Sequence, residues 1–144
     1  MNEGLGGTVT MGIIGFFIVL ALGYAAFNVN YTKAFRMKDK IISVYEDYRG
    51  KCDSDCQEVI RDYAKKIGYK SDDFIGCPKG YNEDETRKLY CISDRVCPDT
   101  TADDIKGKCY YKIITKINLQ IPVIKNFFDF KFFYIHGDTK SFAE

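Results

Sequence analysis

The chain has 144 residues, with 21 Lys plus Arg against 20 Asp plus Glu and a net charge of +1. That length holds one ordinary domain, or a membrane anchor with a small domain, and excludes a large multidomain enzyme. The balanced charge gives no electrostatic case for a nucleic-acid partner, and a single His excludes a His-rich metal centre.

Charge placement is more informative than charge total. Every basic residue lies at or after Lys33, and residues 4–32 contain no Asp, Glu, Lys, Arg or His. Within that run residues 9–29 read VTMGIIGFFIVLALGYAAFNV, which as a helix spans roughly 31 Å and matches a hydrocarbon core of about 30 Å. The sequence thus predicts a short leader over 1–7 and a transmembrane helix over 8–30. Gly12, Gly15, Ala21, Gly23 and Ala25 are small enough to let neighbouring helices approach closely and are the candidate helix-packing residues. A cleaved secretory signal is the rival reading, but residues 1–10 carry Glu3 and no Lys or Arg, whereas a signal peptide begins with positive charge. Lys33, Arg36, Lys38 and Lys40 follow the span and by the positive-inside rule would face the cytoplasm. Six cysteines in the remainder point to an oxidising compartment instead. Because a long domain translocates regardless of flanking charge, the expectation is a single pass with the C-terminal domain on the extracytoplasmic side.

The helical period continues beyond the span. Phe27, Tyr31, Ala34, Phe35, Ile41, Ile42, Tyr45 and Tyr48 recur at spacings of three and four, so one helix is expected from about residue 8 to 48, its extension over 31–50 packing this aromatic stripe into a core. The cations between these positions read as a solvated face, and Gly50 as the left-handed residue that closes the helix. A small α+β domain over 51–144 is expected to follow. Ser54 and Gln57 fit a capping box, after which Cys56, Val59, Ile60, Tyr63, Ala64 and Ile67 share one face up to Gly68. This second short helix should fold back on the first.

Residues 69–108 are rich in Asp, Gly, Lys and Thr and read as a stapled loop region with a short strand near 89–92. Tyr111, Ile113, Thr115, Ile117, Leu119 and Ile121 then alternate with Lys112, Lys116, Asn118 and Gln120, the period of a half-buried strand that Pro122 ends. Phe128, Phe130, Phe132 and Tyr134 alternate likewise, and the two strands are expected to pair in a small antiparallel β-sheet. Residues 137–142 are read as a continuation of the last strand.

Cys52, Cys56, Cys77, Cys91, Cys97 and Cys109 allow 15 pairings. Proximity favours Cys52 with Cys56, leaving the other four to staple the loops to the sheet. Structural zinc requires paired C-x-x-C spacing, and the first pair here is C-x-x-x-C with irregular gaps after it, so disulfides are expected and no metal. The same spacing argues against a thioredoxin-like redox site. His136 has no accompanying nucleophile motif, and no phosphate-binding loop, dinucleotide fingerprint or metalloprotease motif occurs. The acidic clusters at 53–55, 71–73 and 82–85 lack calcium-loop spacing, and the sequon at Asn30 lies at the membrane edge. The residues therefore predict no enzyme and no cofactor. What remains open is a structural subunit, a membrane-tethered extracytoplasmic binding module that does not polymerise, or a cytoplasm-facing zinc module.

The layout resembles the type IV pilins and pseudopilins, and most closely the TadE-like pilin proteins of bacterial cell envelopes. The resemblance is carried by Gly6-Gly7-Thr8-Val9-Thr10 before the apolar span, Asn28-Val29-Asn30-Tyr31 at its end, and Ile121-Pro122-Val123 with Ile135-His136-Gly137-Asp138-Thr139-Lys140 near the C-terminus. It implies a bacterial membrane location, cleavage after Gly6 or Gly7, and an apolar helix that first anchors the subunit and then packs against other pilin-like subunits.

Overall fold

A computed structural model describes residues 2–70, 76–83, 89–97, 109–117 and 133–140. Helix α1 (Asn2–Asp47) is followed by helix α2 (Ser54–Ile67) and strands β1 (Tyr81–Glu83), β2 (Cys91–Ser93), β3 (Lys112–Ile117) and β4 (Phe133–Asp138). The strands form one antiparallel sheet in the order β1-β2-β3-β4. The class is α+β, with a long apolar N-terminal helix, a second helix, a small antiparallel sheet and three disulfides.

At 1.5 Å per residue α1 is about 69 Å long. It begins at Asn2, several residues earlier than the apolar pattern indicates, and includes the stretch read as a leader. Its C-terminus is closed differently from the sequence expectation. The Gly50 N–H donates to the Tyr45 carbonyl (2.8 Å) and the Arg49 N–H to the Glu46 carbonyl (3.1 Å), the paired bonds of a Schellman motif. Arg49 occupies the left-handed closing position at φ 51°, and Gly50 follows at φ 76°. A side chain on Gly50 would also meet the Tyr111 ring, 2.7 Å from an added β-carbon. The turn then brings α2 back along α1.

Asp53, not Ser54, caps α2: its carboxylate accepts the Cys56 N–H at 3.3 Å, and Ser54 is already the first helical residue. An acidic side chain one residue earlier supplies the acceptor that the box pattern assigned to a hydroxyl. Gly68 ends α2 in the left-handed conformation, with its own N–H and that of Tyr69 directed to the Lys65 and Ala64 carbonyls. Cys56, Ile60 and Ala64 are the buried residues of α2.

The core lies between α1, α2 and the sheet. Ala34, Met37 and Ile41 are fully buried, with Val44 and Tyr45 above them and Ile60, Tyr90, Ile113 and Ile117 around them. The Thr115 hydroxyl donates to the Ala34 carbonyl (3.0 Å), fastening β3 to α1. Gly137 allows the closest approach of β4, since an added β-carbon would stand 2.7 Å from Ile42 Cδ1 and 2.8 Å from Lys38 Cδ. Lys38 is therefore not on a solvated face: it is 9 % exposed, its ammonium 4.0 Å from the Phe35 ring centroid and 3.0 Å from the Asp39 carboxylate.

The disulfides are Cys52–Cys56, Cys77–Cys91 and Cys97–Cys109. Two of them extend the sheet's pairing. Cys77 holds the loop before β1 to the first residue of β2, and Cys97–Cys109 adjoins the bridge between Val96 and Tyr110. Strand β1 lies where only loop was expected. Strand β4 is described from Phe133, so residues 118–132, including the expected strand ends, Pro122 and Phe128, lie outside the described residues, as do the acidic groups at 71–73 and 84–85 and the residues 141–144. The continuation of β4 is present as far as Asp138, after which Thr139 exchanges bonds with Tyr111 through its N–H (2.9 Å) and hydroxyl (3.0 Å).

Candidate functional site: a bare helix and the collar at its exit

The two halves of α1 differ in surroundings. Below residue 23 every described side chain is exposed, among them Phe16, Phe17, Leu20 and Leu22. The span qualifies by length and composition as a membrane-crossing helix, and none of its apolar window is covered by the rest of the chain. From Ala34 onward one side of the same helix forms the domain's core. Burial is the main drive for an apolar helix to leave water, and here half of the helix finds no protein to bury against.

The small residues are distributed on this bare half. Nothing lies within 4 Å of an added β-carbon at Gly12 or Gly15, while Ala21 and Ala25 are exposed and Gly23 is half-buried. At roughly 100° per residue, Gly12, Gly15 and Gly23 fall on the side that, further along, carries Met37, Ile41 and Val44. Ala21 and Ala25 fall on a different side. The five candidate packing residues thus serve two faces of the rod.

Where α1 enters the domain it carries an aromatic ladder. Phe27 stacks on Tyr31 and Tyr31 on Phe35, with ring centroids 6.2 and 6.3 Å apart. Phe133, the first residue of β4, sets its ring edge against Phe27 at 6.2 Å. This ladder is where the expected core stripe fails. Tyr31 is 43 % and Phe35 40 % exposed, and Tyr48 is also exposed. Successive steps of four residues each advance about 40° round a helix, so Phe27, Tyr31 and Phe35 walk off the core side. Met37 and Val44, which the stripe omitted, fill it instead.

Contacts along α1 fix the direction of the sheet. Phe133 meets Phe27, Gly137 packs at Lys38 and Ile42, and the Lys140 N–H donates to the Glu46 carboxylate (2.9 Å). Strand β4 therefore runs the same way as α1, and its pairing of Phe133 with Ile117 is the end nearest the bare helix. On the opposite flank α2 descends until Gly68 reaches the Lys33 ammonium, 3.5 Å from an added β-carbon. Lys66 and Lys70 are exposed beside it.

All six thiols are closed in disulfides, so none is available as a thiolate ligand. Among the described residues no group of His, Cys, Asp and Glu is arranged to hold a metal. His136 lies exposed on the outer side of β4, paired with Ile114. Among the described residues Tyr69 is the one strongly perturbed acid: burial pushes its phenol up to about 12, against the opposing effect of the Lys116 backbone bond. Its hydroxyl donates to the Lys116 carbonyl (3.0 Å) and accepts the Lys116 N–H (3.1 Å), with the Leu89 carbonyl at 3.3 Å. Pairing with β2 reaches only Ile114, so on that side of β3 the phenol bonds the Lys116 backbone, while on the other side Lys116 pairs with Tyr134 of β4. That is a structural duty. No family model, curated protein or solved structure matches this chain.

Proposed function

We propose that this chain is a structural subunit of a bacterial cell envelope: a single-pass, pilin-like or pseudopilin protein that assembles with other such subunits through its N-terminal apolar helix and is not an enzyme. The observation carrying this reading is the division of α1 into a bare apolar half and a half embedded in the domain. A rod that projects uncovered from its domain needs lipid, or other rods, around it. Open space at Gly12 and Gly15 favours close approach by a neighbouring helix, because lipid and protein contacts are nearly equivalent for apolar side chains and packing decides between them. The three closed disulfides support a domain on the extracytoplasmic side.

Single cysteines introduced as Gly12→Cys, Gly15→Cys, Ala21→Cys or Ala25→Cys, oxidised in native membranes, are expected to give crosslinked oligomers from at least one face of the rod. Gly15→Leu should weaken crosslinking at its own face while the chain remains inserted. A tethered module that does not polymerise gives no crosslinks at any of these positions, and that result would sink the assembly reading.

A further inference from the structure

The lower end of the domain carries aromatic side chains on one flank of α1 and cations on the other, at the level where the apolar helix ends. We propose that this end rests on the bilayer surface. Tyr31, Phe133 and Tyr134 sit in the headgroup layer with Phe35 at its outer margin, and Lys33, Lys66 and Lys70 face the phosphates of anionic lipid. The inference builds on the reading that the bare half of α1 spans the membrane.

Length sets the depth. With residues 9–29 filling the hydrocarbon, Tyr31 lies about 3 Å beyond its edge, within a headgroup layer of roughly 5–8 Å on each side, and Phe35 lies about 9 Å beyond it, at the outer margin of that layer. Phe133 is tied to that level through its ring contact with Phe27, a residue inside the last turn of the span. All four aromatic residues are exposed, Phe133 by 48 % and Tyr134 by 38 %. The amphipathic rings of Tyr concentrate at membrane interfaces, and apolar Phe side chains beside them bury at the boundary between headgroups and acyl chains. On the other flank, Lys33 lies about 6 Å beyond the edge, and its contact with Gly68 brings the end of α2 to the same height. Cations there lie within a Debye length of lipid phosphates. The far end of the sheet, where Lys112 pairs with Asp138, points away from the bilayer, so the contact belongs to one end of the domain.

The chain contains no Trp, so single-Trp variants of the full chain report depth directly. In vesicles of phosphatidylcholine and phosphatidylglycerol at two to one, Phe17→Trp should lose most of its emission to lipid quenchers placed deep in the acyl chains. Phe133→Trp and Tyr134→Trp should lose most of theirs to quenchers placed near the headgroup. Tyr48→Trp, about 28 Å beyond the span, should be quenched by neither and by aqueous iodide only. Adding Lys66→Glu and Lys70→Glu should reduce the headgroup-level quenching of Phe133→Trp in these vesicles. Deep quenching of Phe17→Trp without headgroup-level quenching at 133 or 134 overturns the resting surface and leaves the anchor standing. If Phe17→Trp escapes deep quenching, the anchor fails and the resting surface with it. Equal quenching with and without the charge reversals overturns the role given to the lysines.

Discussion

The two halves of α1 share one backbone geometry, yet one is wrapped by the domain and the other by none of it. The difference lies in the polar residues. Beyond Lys33 charged positions interrupt the apolar ones, leaving one side of the helix for Met37, Ile41 and Val44 to bury against the sheet and α2. Over the span 9–29 the helix carries no charge and has apolar residues on every side, which requires an apolar medium all round. Periodicity assigns a helix to its partner: one face to a domain, all faces to lipid or to other rods.

The comparison can be broken most severely in the bare half. Ile14→Arg with Ile18→Arg should add roughly 5–7 kcal/mol to the cost of insertion, at about 2.5–3.5 kcal/mol for each central charge. The expected outcome is loss of membrane retention with the domain's far-ultraviolet and thermal signature intact. In the embedded half Ile41→Ala should do the opposite, leaving insertion unchanged and lowering domain stability by about 2–5 kcal/mol in chemical denaturation, since Ile41 is fully buried. Removing Cys77–Cys91 as a Ser pair should cost more than removing Cys52–Cys56: their sequence separations are 14 and 4, which in the chain-entropy description correspond to roughly 3 and 2 kcal/mol. Equal losses would mean that the disulfides act through the folded state.

The smallest effects belong to Tyr69. Tyr69→Phe leaves the Lys116 backbone groups without their phenol and should cost about 1–3 kcal/mol. Its titration adds a sign. The folded phenol is raised to about 12 from an unfolded value of 10.0, so between those values the folded state holds the proton more often than the unfolded chain. The stabilisation is complete below pH 10 and declines as pH rises toward 12. Denaturation midpoints should therefore fall over that window, and Tyr69→Phe should flatten part of the fall.

Much of this fold can be read from the residues, and the exceptions have physical causes. The apolar run, the antiparallel pairing of β3 with β4, the turn at Gly68 and the disulfide between Cys52 and Cys56 each rest on a local pattern. The three-residue strand β1 has no alternation long enough to detect; it exists because Cys77–Cys91 and the pairing of Tyr81 with Ser93 hold it in place. Lys38 was hidden by its charge, since only the tertiary approach of Gly137 shows that its aliphatic stem packs in the interior. The ladder of half-buried Phe27 and exposed Tyr31 and Phe35 has the spacing of a core stripe. Only its steady drift round the helix, visible once Met37 is placed, separates a surface collar from a core.

The most direct test of the anchor is extraction of native membranes with alkaline carbonate. The full-length chain should stay in the pellet and enter solution only with detergent, while the double-arginine variant is released. Recovery of the intact wild-type chain in the carbonate supernatant would contradict the account.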